Sequence, residues 1–201
     1  MAIILILAGL VIAIAGNANN KAARARAEAE IKGMETALES YKADNGVYPT
    51  DADTTEKLDA QRQTDPGATS TPNYKDASRF LFKILSGRTD LFTSGSIYKT
   101  ATPGKSYITF TPSQLSTTTS AQTDATFIVD PFGLSYGYST IYAFGAAAAA
   151  ANNTTTPTDK GYNPTYDLWS TSGYGTGGKT YPSDAKFNTP QLKAGLWTKN
   201  W

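Results

Sequence analysis

The sequence predicts an α+β fold: a long N-terminal helix, a short second helix and a small antiparallel β-sheet head with long loops, lollipop-like in outline. Three observations lead there. Residues 1–45 carry an unbroken helical pattern, apolar and uncharged through Asn20, then amphipathic. Beyond residue 100, short β-prone runs alternate with Thr, Ser, Gly and Asn clusters. The 201 residues suffice for one domain with a sizeable core. The expected organisation is an apolar half-helix over 1–20, an amphipathic half-helix over 21–46 and a head over 47–201. Within the head we expect a helix at 76–87, strands near 106–111, 125–144 and 165–170, and a C-terminal loop over 171–201.

Composition narrows the chemistry. Lys and Arg total 18, Asp and Glu 17, so the net charge of +1 gives no argument for nucleic acid. Charged residues are 17% of the chain, below the roughly 25% of ordinary globular proteins. There is no cysteine, which excludes disulfides and thiolate metal sites. There is no histidine either, which excludes Ser-His-Asp and Cys-His catalysis and His-ligated zinc. The carboxylate pairs Asp51/Asp53 and Asp124/Asp130 fall in polar loops, where solvation is the default, and Gly173 to Gly178 lacks the spacing of a phosphate loop. No catalytic constellation is found, and the chain is not expected to be an enzyme.

The first element, MAIILILAGLVIAIAG, is an apolar run of about 16 residues, where a spanning helix needs roughly 20. A signal peptide, a buried core helix and a transmembrane helix lacking its first turns are the competing readings. No Lys or Arg precedes the run, and the helical pattern continues past Ala18 without a break, so the transmembrane reading is favoured. The next element carries Ala27, Ile31, Met34, Leu38 and Tyr41 at spacings of 4, 3, 4 and 3, one stripe at helical period. Ile31, Met34, Leu38 and Tyr41 are expected to pack under the head. Asn45-Gly46 ends the helix. A continuous helix over 1–45 is about 67 Å long, more than a globule of this size buries, so its front must meet lipid or other chains.

Residues 50–74 read as an exposed loop. In DASRFLFKILSG, Asp76 caps a short helix, Phe80, Leu81, Ile84 and Leu85 face inward, and Gly87 ends it. Ser106 to Thr111 alternates as a strand, and 111–126 is a Ser/Thr-rich loop. Ala125 to Val129 leads into the turn Asp130-Pro131-Phe132-Gly133, and Leu134 to Phe144 continues as strand. Residues 146–158 form a low-complexity insertion. The last clear strand lies around Tyr166 to Ser170. Trp197 and Trp201 are expected to anchor the C-terminal loop.

Residues 1–50, ending in YKADNGVYPT, resemble the N-terminal helix of type IV pilin-like proteins, particularly the major pseudopilins of type II secretion. DPFGLSYGYS is similar to that family's DPWG-x-x-Y-x-Y hairpin, and Tyr166 to Ser170 to its Y-D-I/L-x-S segment. The family's FTLIE-type processing motif, its glutamate and its basic leader are absent. MAIILILAGL looks like the stretch that follows that motif, so the sequence is expected to begin inside the mature protein. The resemblance implies a structural subunit that self-associates into a helical filament, after residence in the inner membrane and processing by a prepilin peptidase and assembly machinery. The filament would be periplasmic or on the cell surface. Ile3, Ile6, Leu7, Leu10, Val11 and Ile14 would pack in its core. The resemblance also implies a calcium ion in the loop after Y-D-I/L-x-S, but Asp167 and Asp184 are the only carboxylates between Gly161 and Trp201, where a calcium site usually needs several, so an ordered Gly/Tyr loop is the favoured reading and no other cofactor is expected. The rival reading is a membrane-anchored or secreted module that binds a glycan or surface polymer through its Tyr- and Trp-rich face.

Overall fold

A computed structural model describes residues 2–51, 58–67, 74–87, 104–116, 127–154 and 160–201, with residues 2–17 described by their helical backbone. Helix α1 runs from Ala2 to Asn45 without interruption. The chain leaves it at Gly46, whose φ of +81° is open to a residue without a Cβ, and whose N–H donates to Lys42 O at 2.7 Å. The fold is the α+β class expected: one long helix, further helices and small antiparallel sheets.

Helix α2 spans Tyr74–Ser86. It starts two residues before the expected Asp76 cap. Asp76 lies inside the first turn and pairs with Arg79 at 2.8 Å. Its inward face is Tyr74, Ala77, Ser78, Leu81, Phe82 and Leu85, while Phe80 and Ile84 are only half-buried. Ser106 to Thr111 is not a strand. Among the described residues its alternation finds no partner strand, and the Tyr107 and Ile108 amides donate instead to Leu85 O, closing the C-terminal end of α2. Within the stretch expected to be loop, Leu115–Ser116 forms strand β1, antiparallel to β2 at Phe127–Ile128.

The turn at Asp130 returns the chain into β3, Gly137–Ser139. Strand structure does not continue to Phe144. Helix α3 occupies Ile141–Ala151, since a run of six alanines has the highest helix propensity of any residue. It ends at Asn153, which takes the left-handed conformation at φ 53°. Strand β4, Asp167–Ser170, pairs antiparallel with β3, and β5, Thr198–Lys199, pairs with β4 on the other side. The register sets Gly137 opposite Trp169, and a Cβ at 137 would fall on the indole ring. The C-terminal stretch is not only loop: it holds β5 and the short helix α4, Pro190–Ala194, capped by Thr189 with Pro190 in the first turn.

Two apolar clusters form the core. One gathers Ile31, Met34 and Leu38 of α1, Leu81, Phe82 and Leu85 of α2, Ile128 of β2, Tyr136 just before β3, Tyr138 of β3 and Leu168 of β4. The other gathers Leu58, Ala60, Tyr74, Ala77, Trp169, Ala194 and Trp197. Adjacent residues of β4 point to opposite faces, so Leu168 enters the first and Trp169 the second. Residues 50–74 were expected to be exposed. Their described part buries Leu58, Asp59 and Ala60 under the second cluster.

Candidate functional site: the seam between helix and head

Among the described residues, the head buries one face of α1 between Ala27 and Leu38. Ala27, Ile31, Met34, Ala37 and Leu38 are buried, with Leu38 fully so. Spacings of three and four bring them to one face. Each large apolar side chain of this stripe contributes about 1.5–3 kcal/mol by leaving water. Tyr41 is half-buried, its ring edge-on to Tyr107 at 5.4 Å.

Polar fastenings run along both sides of the stripe. Lys179 Nζ donates to Asn20 Oδ1 at 2.8 Å, and Arg24 to Leu196 O at 2.6 Å. Arg26 pairs with Glu30 at 2.8 Å and donates to Ser113 Oγ at 2.8 Å. Glu30 accepts from the Tyr136 hydroxyl at 2.6 Å. Burial, then the Glu30 carboxylate beside it, push the Tyr136 hydroxyl well above its ordinary pKa. Farther along, the Tyr48 hydroxyl donates to Glu39 at 2.6 Å; burial and this bond push it up to about 12. Near the helix end, Lys105 pairs with Asp44 at 2.5 Å, and the bond holds the Asp44 carboxyl below its usual range.

Asp130 fixes the turn that carries Tyr136. Its Oδ1 accepts the Phe132 and Leu134 amides, each at 2.9 Å, and its Oδ2 accepts the Ser170 hydroxyl at 2.5 Å. Burial pushes its carboxyl up. Tyr138 donates to Pro49 O at 2.6 Å, tying the same hairpin to the chain just past α1.

Asp167 and Asp184 differ sharply. Asp167 is 1% exposed, and its carboxylate accepts the Tyr162 amide at 2.9 Å and the Asn163 amide at 2.8 Å. Burial pushes it up to about 6. Asp184 is exposed and pairs with Lys186 at 3.2 Å. Among the described residues no group of three or more His, Cys, Asp or Glu gathers to hold a metal ion. Trp197 stacks on Trp169 at 5.9 Å, and Trp201 on Tyr162 at 4.6 Å.

The side chains of Ile3, Ile6, Leu7, Leu10, Val11 and Ile14 lie outside the described residues; their backbone is helical. Among the described residues no helix is long and apolar enough to cross a membrane. Sequence reasoning missed Glu30, Arg24 and Arg26 as fastening points. Glu30 sits one position before Ile31 and reads as solvated; only the fold brings Tyr136 to it.

Residues 14–108 match the family model described as Type II secretion system (T2SS), protein G. No curated protein and no solved structure matches the chain significantly.

Proposed function

We propose, from the pilin-like, pseudopilin family that this match supports, that the chain is the structural subunit of a helical filament built through its N-terminal helix. One observation carries the reading. Helix α1 is continuous from Ala2 to Asn45, about 66 Å, and its residues 18–22 are exposed ahead of Ala27, the first buried position among the described residues. A helical backbone brings Ile3, Ile6, Leu7, Leu10, Val11 and Ile14 to one side, at spacings of three and four. Such a row packs first among lipid tails and then against the same row of other copies. Ala8, Gly9, Ala13, Ala15 and Gly16 allow close helix approach.

On this reading the subunit waits in the inner membrane, is processed by a prepilin peptidase and is drawn by its assembly machinery into a periplasmic or surface filament. The chain performs no chemistry; its work is self-association. Replacing Leu10 or Ile14 by Asp puts a charge into the filament core, a cost of several kcal/mol per subunit. Filaments should vanish from sheared and negatively stained material, while the head keeps its circular dichroism and melting temperature. Normal filaments from either variant would sink the proposal.

A further inference from the structure

The loop after β4, residues 171–181, is where the family resemblance implies a calcium ion. Such an ion takes roughly six to eight oxygens, several of them carboxylates. The loop of this chain turns its oxygens to other uses. Its carbonyls at Thr171, Gly173, Gly175 and Lys179 accept amides of the loop itself, from Tyr174 at 3.1 Å, Lys179 at 2.5 Å, Gly178 at 2.9 Å and Gly175 at 3.0 Å. Asp167 is engaged by the Tyr162 and Asn163 amides, and Asp184 by Lys186. A cation already sits at the loop: Lys179 Nζ lies 5.0 Å from the centre of the Phe132 ring and donates to Asn20 of α1. These residues do not fit a calcium ion.

The loop presents hydrogen-bond donors instead, and they meet a carboxylate from a distant part of the chain. Asp65 Oδ1 accepts the Thr176 amide at 2.7 Å, and its Oδ2 accepts the Thr176 hydroxyl at 2.5 Å. Oδ1 also accepts the Gly67 amide at 2.9 Å, which closes the turn at Asp65-Pro66-Gly67 on the same oxygen. Beside it the Tyr181 hydroxyl donates to Thr64 O at 2.7 Å and accepts from Trp197 Nε1 at 2.9 Å, and the Tyr181 ring stacks on Tyr174 at 5.0 Å. The two segments approach closely enough to need glycine on both sides. A Cβ at Gly67 would fall on Thr176 O. A Cβ at Gly175, whose φ is +133°, would fall 2.9 Å from Asp65 Oδ1 and 2.8 Å from Pro66 Cδ.

We infer that Asp65 does in this chain the work a calcium ion would do, and that the loop is held to the head without metal. The polarity of the arrangement is reversed. A calcium cage points oxygens at a cation, whereas here an N–H and an O–H of Thr176 point at an anion. Both bonds are charge-assisted, and one carboxylate makes them together. They join residues 111 positions apart, so they fix where the loop lies on the head. The same loop carries Lys179 to Asn20, so its hold on α1 is equally free of metal. The clamp does not depend on the filament reading and outlives its failure.

Hydrogen–deuterium exchange of the full chain in detergent micelles, read on peptides covering residues 171–181, tests the clamp. Exchange there should be the same in millimolar calcium chloride and in excess EGTA. Asp65→Ala should speed it by at least about tenfold while α2 is unchanged, because two bonds to a charged acceptor are lost. If Asp65→Ala loosens α2 as well, Thr176→Val is read in its place; it removes only the hydroxyl and should speed exchange by at least about threefold. Slower exchange in calcium than in EGTA, in the unmodified chain or in either variant, would overturn the metal-free hold. Unchanged exchange in Thr176→Val, or in an Asp65→Ala chain whose α2 is intact, would overturn the role of Asp65.

Discussion

Glu30 is the residue at which helix and head are locked in register. Its carboxylate takes the Tyr136 hydroxyl on one side and Arg26 on the other, with 9% of the side chain exposed. Tyr136→Phe removes the donor to a charged, nearly buried acceptor and should cost about 1.5–3 kcal/mol, read as a lower urea midpoint at unchanged slope. Asp167 gives the head a pH dependence of an unusual sign. Its folded pKa of about 6 lies above the 3.8 of an ordinary carboxyl. Between those values the folded protein holds a proton that the unfolded chain has released. This contribution is therefore complete below about pH 4 and is lost as pH rises through 6, by roughly 3 kcal/mol at most. Asp130 is raised by burial and acts in the same direction. Asp44, held low by Lys105, acts in the opposite direction but is exposed to solvent and weak. Melting temperatures should fall from pH 4.5 to 7, and Asp167→Asn should flatten that slope; an unchanged slope would refute the assignment. None of this was legible in the sequence. Glu30, Asp130 and Asp167 owe their roles to partners or burial that only the folded head supplies, and a carboxylate one place off an apolar stripe looks like any solvated one.

At the scale of elements, α1 is the part the sequence announced, because its 4, 3, 4, 3 stripe is long and regular enough to outweigh local noise. The same stripe joins α1 to α2 and to the strands of the head. Met34→Ala should cost about 2–5 kcal/mol by leaving a cavity between α1, α2 and the sheet. Strands were harder. Two-residue pairings such as β1 and β5 carry no readable alternation. SYITFT alternates well and is still not a strand, since the nearest unsatisfied groups are carbonyls at the end of α2 rather than a strand edge. Helix α3 was obscured by the opposite error, in which uniform composition hid a strong local propensity. Gly137 shows how tightly β3 meets β4. Gly137→Ala puts a methyl group where the Trp169 ring lies and should destabilise the head by about 1–3 kcal/mol, with a shift in tryptophan fluorescence.

At the scale of the whole molecule, the two core clusters share α2 and β4, and all three tryptophans lie in or against the second cluster. Tryptophan fluorescence therefore follows one cluster, and helical circular dichroism follows α1 on the other. The shared elements should make both signals change at one urea midpoint; two separated midpoints would show that the clusters unfold independently. The fastenings of the seam have a mechanical consequence as well. They are spread from Asn20 to Asp44 along a single rod, with the apolar stripe between them. Tension applied along that rod loads them in shear, all together, and does not peel them one after another from an end. Cutting one link should then barely lower the rupture force, whereas a pull at right angles would open the seam one bond at a time.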